Sequence, residues 1–307
     1  MSIRTILVPF TENCDTPAAK TALAAARHLQ AHLVGVYVEA VRQSVPMPPP
    51  RATVDPRAGA FGMSTMRGEL ATLDPLAETT RQRDQAAQSA KAGFEMLCRQ
   101  WQVPFLDGDA AGQGDRPLPS ASFRRQIGDL PHVVGQQGHT CDMVVTESAS
   151  VSKETKAARS AIDNVLLNSG RPVLLAPSNP PEHLNGRIMV AWNDSPQCWH
   201  ALGAALPFLA KAKDILLFHV GQDRAGRSAE EKAADYLAWH GIEAEVVQQE
   251  PGPSGVAEYL MSQCGERQVA LMVMGAYSHS PLRERLLGGV TFKVLSNVAA
   301  TPVLMVH

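Results

Sequence analysis

The strongest constraint on this chain is that it states one pattern twice. Near its start, the apolar run Thr5-Ile6-Leu7-Val8-Pro9-Phe10 leads into polar Thr11-Glu12-Asn13. An alanine-rich helical stretch follows from about Thr16 to Gln30, then a second apolar run, Leu33-Val34-Gly35-Val36-Tyr37-Val38. The same order recurs at Arg187-Ile188-Met189-Val190-Ala191-Trp192, then Asn193-Asp194-Ser195, a helix from about Pro196 to Ala210, and Ile215-Leu216-Leu217-Phe218-His219-Val220. Further on, Cys141-Asp142-Met143-Val144-Val145 parallels Ala270-Leu271-Met272-Val273-Met274, and Gly170-Arg171-Pro172-Val173-Leu174-Leu175 parallels Ala300-Thr301-Pro302-Val303-Leu304-Met305. Continuous β-branched runs bounded by turn residues suit strands buried on both faces. Alternated with helices, they make βαβ units with right-handed crossovers. The expected fold is α/β: two tandem, doubly wound, open parallel sheets, each of about five strands with helices on both faces.

Pro177-Ser178-Asn179-Pro180-Pro181 separates the copies, because proline fixes φ and removes a backbone donor. The expected units are therefore 1–181 and 182–307. The longer first unit carries two extra stretches, one from Val45 through about Leu76 and one from Asp107 to Pro119. Asp107, Asp109 and Asp115 lack the spacing and closing glutamate of a calcium loop, so the second reads as turn. The first reads as a surface insertion, which is thermodynamically cheap.

Apolar residues are 45% of the chain and charged residues 19%, enough to fill two cores. The net charge of −2 gives no electrostatic grip on nucleic acid or an anionic membrane. No apolar run approaches the ~18 residues of a membrane span, and the N-terminal run is too short for a signal peptide. Cys14, Cys98, Cys141, Cys198 and Cys264 are odd in number and show no C-x-x-C spacing, which suits separate thiols in a reducing compartment. The expected location is the cytoplasm.

In an open parallel sheet, ligands sit at the carboxyl ends of the strands, where strand order reverses. In the second unit that edge carries Gly275-Ala276-Tyr277-Ser278-His279-Ser280-Pro281, then Arg283-Glu284-Arg285, then Gly288-Gly289 opening a helix at Val290. Glycines at a helix start let an anion approach free backbone N–H groups at the positive end of the helix dipole. The same glycines also suit tight turns, and the residues alone leave both readings open.

These residues resemble the universal stress protein family, and the whole chain resembles a tandem member of it. Nucleotide-binding members have G-x2-G-x9-G-[S/T] between the fourth strand and the last helix. Here the spacing is kept as Gly275, Ser278, Gly288, Gly289, with serine for the second glycine and glycine for the closing hydroxyl residue. The resemblance implies a Rossmann-like, adenine nucleotide alpha-hydrolase-like fold and a cytoplasmic stress-response role, regulatory or protective. It also implies that the second unit is the one to hold ATP or a similar adenine nucleotide. Gly275, Ser278, Gly288, Gly289, Val290 and Thr291 would then face phosphate and ribose, with Asn193 in the family's acidic position and Val220 on the base. Whether Mg²⁺ accompanies the nucleotide is left open. The first unit departs further: Thr146 is read at the position of Gly275, Ala149 at that of Ser278, and Arg159-Ser160 at that of Gly288-Gly289, with Thr11 in the acidic position. It is expected to bind no nucleotide in the family's manner and to act as a partner domain.

Other chemistry finds less support. No phosphate-loop lysine motif, dinucleotide fingerprint or nucleophile elbow occurs. His279 is next to Ser278 and Ser280 in sequence only, and a triad also needs an orienting acid in space. His28 and His32 read as partners of a helix C-terminus rather than metal ligands. Trp192, Trp199 and Trp239 read as core or interface anchors. The chain is expected not to be an enzyme. Two readings stand: a nucleotide-binding regulatory protein, or a nucleotide-free interaction and dimerisation scaffold. Members of the family pair their last strands antiparallel on dimerising, so the resemblance implies an internal pseudo-dimer through Val173–Leu175 and Val303–Val306, open to further homodimerisation.

Overall fold

A computed structural model describes residues 2–40, 75–107, 117–148, 155–221, 229–250, 255–278, 289–297 and 300–307, with the side chains of 75–79, 155 and 297 left aside. Among the described residues, ten strands form one sheet in the order β3-β2-β1-β4-β5-β10-β9-β6-β7-β8. The first half supplies β1 (Thr5–Phe10), β2 (His32–Glu39), β3 (Ser120–Ile127), β4 (Met143–Glu147) and β5 (Val173–Ala176). The second supplies β6 (Arg187–Trp192), β7 (Asp214–Val220), β8 (Glu245–Gln249), β9 (Val269–Gly275) and β10 (Val303–Val306). All neighbours are parallel except β5 and β10, which pair antiparallel with Leu174 opposite Leu304. The two expected parallel sheets are thus joined edge to edge. The joint satisfies two apolar edges that would otherwise expose unpaired backbone.

Each half reverses strand order once, between β1 and β4 and between β6 and β9. The helices that follow β1 and β6 start alike. In α1 (Pro17–Leu29), Thr16 accepts the Ala19 N–H at 3.2 Å and proline takes the first turn. In α5 (Pro196–Leu209), Ser195 accepts the Cys198 N–H at 3.3 Å, again with proline next. A hydroxyl cap satisfies one orphan donor, and proline loses nothing at a position whose N–H is free anyway.

One apolar layer packs α1, α2 (Pro75–Gln100), α5 and α6 (Ala229–Trp239) on the sheet. The other packs α3 (Leu130–Gly138), α4 (Thr155–Asn164), the π-helical turn Val165–Ser169, α7 (Val256–Glu266) and α8 (Val290–Asn297). Ile6, Leu23, Phe94, Ile188 and Phe208 belong to the first layer, and Leu7, Ile162, Met189, Phe218 and Val294 to the second, all essentially fully buried. Side chains of this size stabilise by about 1.5–3 kcal/mol each when removed from water. Each layer runs through both halves, so the halves share two cores.

His28 and His32 do not act as charged partners of a helix end. His28, in the last turn of α1, stacks on Phe208 of α5 at 5.6 Å. Burial, aided by Lys211, pushes its pKa down to about 4, so the ring is neutral at pH 7. His32 lies on β2 and bonds Ser120 and Ser122 of β3 at 2.8 and 2.9 Å. The insertion from residue 45 falls, apart from its last residues, outside the described residues, as do Asp109 and Asp115. Asp107 pairs with Lys91 at 2.6 Å. No described helix is long and apolar enough to cross a membrane.

Candidate functional site

At the carboxyl ends of β6, β7 and β9, beside the start of α8, lies a cavity of about 280 Å³. Asn193, Val220, Gly275, Ser278, Gly289, Val290 and Thr291 all line it. Gly288 lies outside the described residues. Ala191, Trp192, Cys198, Phe218, Val256, Leu260 and Met274 complete the lining and were not singled out as site residues from the sequence. Phe218 and Val220 share a face of β7 by strand alternation, a signal that was present in the sequence. The cavity therefore has an apolar wall and a polar rim.

The glycine at 275 has a different purpose from the one its position suggested. A Cβ there would sit 2.7 Å from the Cys198 amide nitrogen and 2.8 Å from the Gln197 carbonyl carbon. The missing side chain makes room for the first turn of α5 rather than for a nucleoside, as close helix–strand packing requires. Ser278, which stands where the family's pattern has its second glycine, does not have a left-handed backbone. That conformation belongs to Tyr277, at φ 57°.

Asn193 caps the same turn. Its Oδ1 accepts the Ser195 N–H at 3.2 Å and the Cys198 S–H at 2.8 Å. A backbone N–H requires the oxygen, so the side-chain amide leaves its N–H₂ group as the end available to a ligand. Thr291, 3% exposed, accepts the Tyr277 N–H at 3.1 Å and keeps its own hydroxyl hydrogen for another acceptor. The first N–H groups of α8 have no partner within the helix, by geometry common to all helices. One turn on, Lys293 pairs with Glu258 of α7 at 2.9 Å, and the bond holds that carboxyl below its usual range.

The corresponding edge of the first half, between β1 and β4, is wider. Its cavity is about 470 Å³ and is lined by Thr11, Glu12, Asp15, Thr146, Glu147, Ala158 and Ala161, among others. Sheet register corrects the alignment of the two halves here. Glu147 lies opposite Ala176 of β5 as Gly275 lies opposite Val306 of β10, and Thr146 opposite Leu175 as Met274 opposite Met305. The counterpart of Gly275 is thus Glu147, one residue beyond Thr146. Ala149 lies outside the described residues. Arg159 does not fill this cavity: its guanidinium lies over the Phe292 ring, 4.1 Å from the centroid, across the seam between halves. Ser160 is exposed on α4. Three carboxylates line this cavity, Glu12, Asp15 and Glu147, and Asp15 pairs with Lys20 at 2.7 Å.

All five cysteines are buried and unpaired. Burial pushes Cys98, Cys141 and Cys264 up to about 12, far from thiolate chemistry at neutral pH. Among the described residues, no group of three or more His, Cys, Asp or Glu side chains is arranged to hold a metal ion.

Comparison with solved structures gives the class of fold. A universal stress protein from Archaeoglobus fulgidus superposes over 99% of this chain and 96% of its own, with a TM-score of 0.65 at 15% identity. A functionally unknown protein from Pseudomonas aeruginosa covers 99% of this chain and 92% of its own, at a TM-score of 0.51 and 16% identity. No protein-family model matches the sequence, and no curated protein does. The chain has the α/β fold of the universal stress proteins at tandem size.

Proposed function

We propose that this chain is a universal stress protein that binds an adenine nucleotide in its second half and works by binding rather than turnover. One observation carries the reading. The strand-order reversal of the second half brings seven separately chosen residues around one cavity with an apolar slot and a helix start. A base fits against Phe218, Val220 and Met274, with Asn193 and Ser278 at polar positions, and phosphate directed toward Gly289 and the first amides of α8. Its 280 Å³ is near the lower end of small-molecule sites, which run from about 300 to 1,000 Å³. That size suits a nucleoside inside and a charged tail at the mouth.

The absence of turnover is part of the proposal. None of the described residues lining the cavity is a carboxylate or a histidine, the groups that most often act as general base, and this supports binding without turnover. The first half, with carboxylates at its own edge, is proposed as a partner domain. A cytoplasmic, stress-linked regulatory role is the setting proposed for both. The scaffold reading draws support from Gly275, whose role is packing.

Gly289→Asp separates these readings. It places a carboxylate where phosphate would lie, and such like-charge contact costs several kcal/mol. ATP affinity measured by calorimetry on nucleotide-free protein should fall about a hundredfold or more. Unchanged affinity in the folded variant, or no binding to the parent chain at millimolar ATP, would favour the scaffold.

A further inference from the structure

Tyr277 links the second-half cavity to the first half. It is 1% exposed and lies two residues past the end of β9. Its backbone N–H donates to Thr291 Oγ1 of α8 at 3.1 Å. Its hydroxyl donates to Oδ1 of Asp163, at the end of α4 in the first half. Asp163 is itself 6% exposed, and a carboxylate so deeply buried requires firm partners. One turn earlier on α4, Arg159 covers Phe292, the neighbour of Thr291. Ala158 and Ala161 of the same helix wall the first-half cavity.

The chain of contacts ends on a ligand-facing donor. Thr291 has two lone pairs and one hydrogen. Tyr277 engages one lone pair, so the hydroxyl hydrogen is turned to other acceptors, and Thr291 lines the second-half cavity. The turn that carries Tyr277 also presents Gly275 and Ser278 to that cavity. Shifting Tyr277 would move all three.

We propose that Asp163, a residue of the first half, is a positioning residue for the nucleotide site of the second half. Through Tyr277 it fixes the turn after β9 and the orientation of the Thr291 hydroxyl. Occupancy of the second-half cavity and docking of α4 are then one linked equilibrium, and linkage is reciprocal. Whatever binds above tightens α4 below, and α4 also borders the other cavity. The inference rests on the nucleotide reading for its ligand, and on the Asp163–Tyr277–Thr291 geometry for its mechanism.

The test uses the whole chain. Tyr277→Phe deletes only the hydroxyl, Asp163→Ala removes the acceptor, and Asp163→Asn restores an accepting oxygen. ATP affinity by calorimetry should fall about tenfold in the first two and stay near the parent value in the third. The double variant Asp163→Ala/Tyr277→Phe should lose no more than either single change, because the two act as one unit. Bound ATP should also slow amide exchange across residues 155–164. Parent affinity in folded Tyr277→Phe, or additive losses in the double variant, would overturn the proposal even where melting temperatures fall.

If the parent chain binds no ATP, the nucleotide reading fails and a ligand-free measurement decides the linkage. Amide exchange at Tyr277 should then quicken about tenfold in Asp163→Ala and not in Asp163→Asn. Equal rates in all three proteins would overturn the link itself.

Discussion

The two halves share a frame and differ at its carboxyl edge. In both, a hydroxyl cap and a proline start the helix after the first strand. Five residues, Thr11–Asp15, precede the cap in the first half, but only Asn193 and Asp194 in the second. Where β9 ends on Gly275, packed against the start of α5, β4 ends on Glu147. The short loop and the glycine go with a cavity of 280 Å³, and the long loop and the carboxylate with one of 470 Å³. Volume alone would favour the first half as the nucleotide site. The proposal rests on charge instead, since a triphosphate there would meet the like charges of Glu12 and Glu147, with Asp15 already paired to Lys20. Buried interiors resist change because each substitution is felt by close-packed neighbours, whereas strand ends can diverge at little cost to the sheet.

The largest expected effect comes from exchanging the two residues. Gly275→Glu forces a side chain into backbone of α5, and overpacking against atoms that cannot rotate away should cost about 3 kcal/mol or more. Denaturant unfolding would show this as a much lower midpoint, together with loss of ATP binding. Parent-like stability would mean that the approach of α5 to β9 is looser than described. The reverse change, Glu147→Gly, should cost only about 1 kcal/mol, the usual penalty for glycine in a strand, and leave second-half affinity unchanged. An equal cost in both directions would erase the distinction between the halves.

A smaller effect lies where the halves meet on the opposite layer. His28 titrates near 4 in the folded chain and near its ordinary 6.5 when unfolded. Between those values the unfolded chain binds the extra proton, so stability should fall as pH drops from about 6.5 to about 4. Melting temperature against pH should be flatter over that window in His28→Gln. An identical slope would show that the ring is not held neutral against Phe208.

Much of this fold was legible because its inner strands are continuous apolar runs, as β1, β2, β6, β7 and β9 show. The edge strands were not. In β3, Phe123 is followed by Arg124, Arg125 and Gln126, and in β8 only Val247 is buried. Strands with one neighbour and a wet face carry mixed sequences that resemble loops. At the cavity, Gly289 was legible from local pattern, as a glycine before a helix, while Asn193, Val220 and Thr291 came from the family resemblance. The role of Gly275 was not, because it depends on where α5 begins some 80 residues earlier in the chain. The register of β4 was misjudged by one residue for a related reason. Its apolar run slides easily against that of β9, and only pairing with β5 and β10 sets the match. Asp163 gave no local signal, since its partner lies 114 residues away.

The most direct test is the stoichiometry of ATP binding to nucleotide-free protein, by equilibrium dialysis. One nucleotide per chain, abolished by Gly289→Asp and retained in Glu147→Gly, is the predicted result. Two per chain, or one that survives Gly289→Asp, would contradict the assignment of the site to the second half.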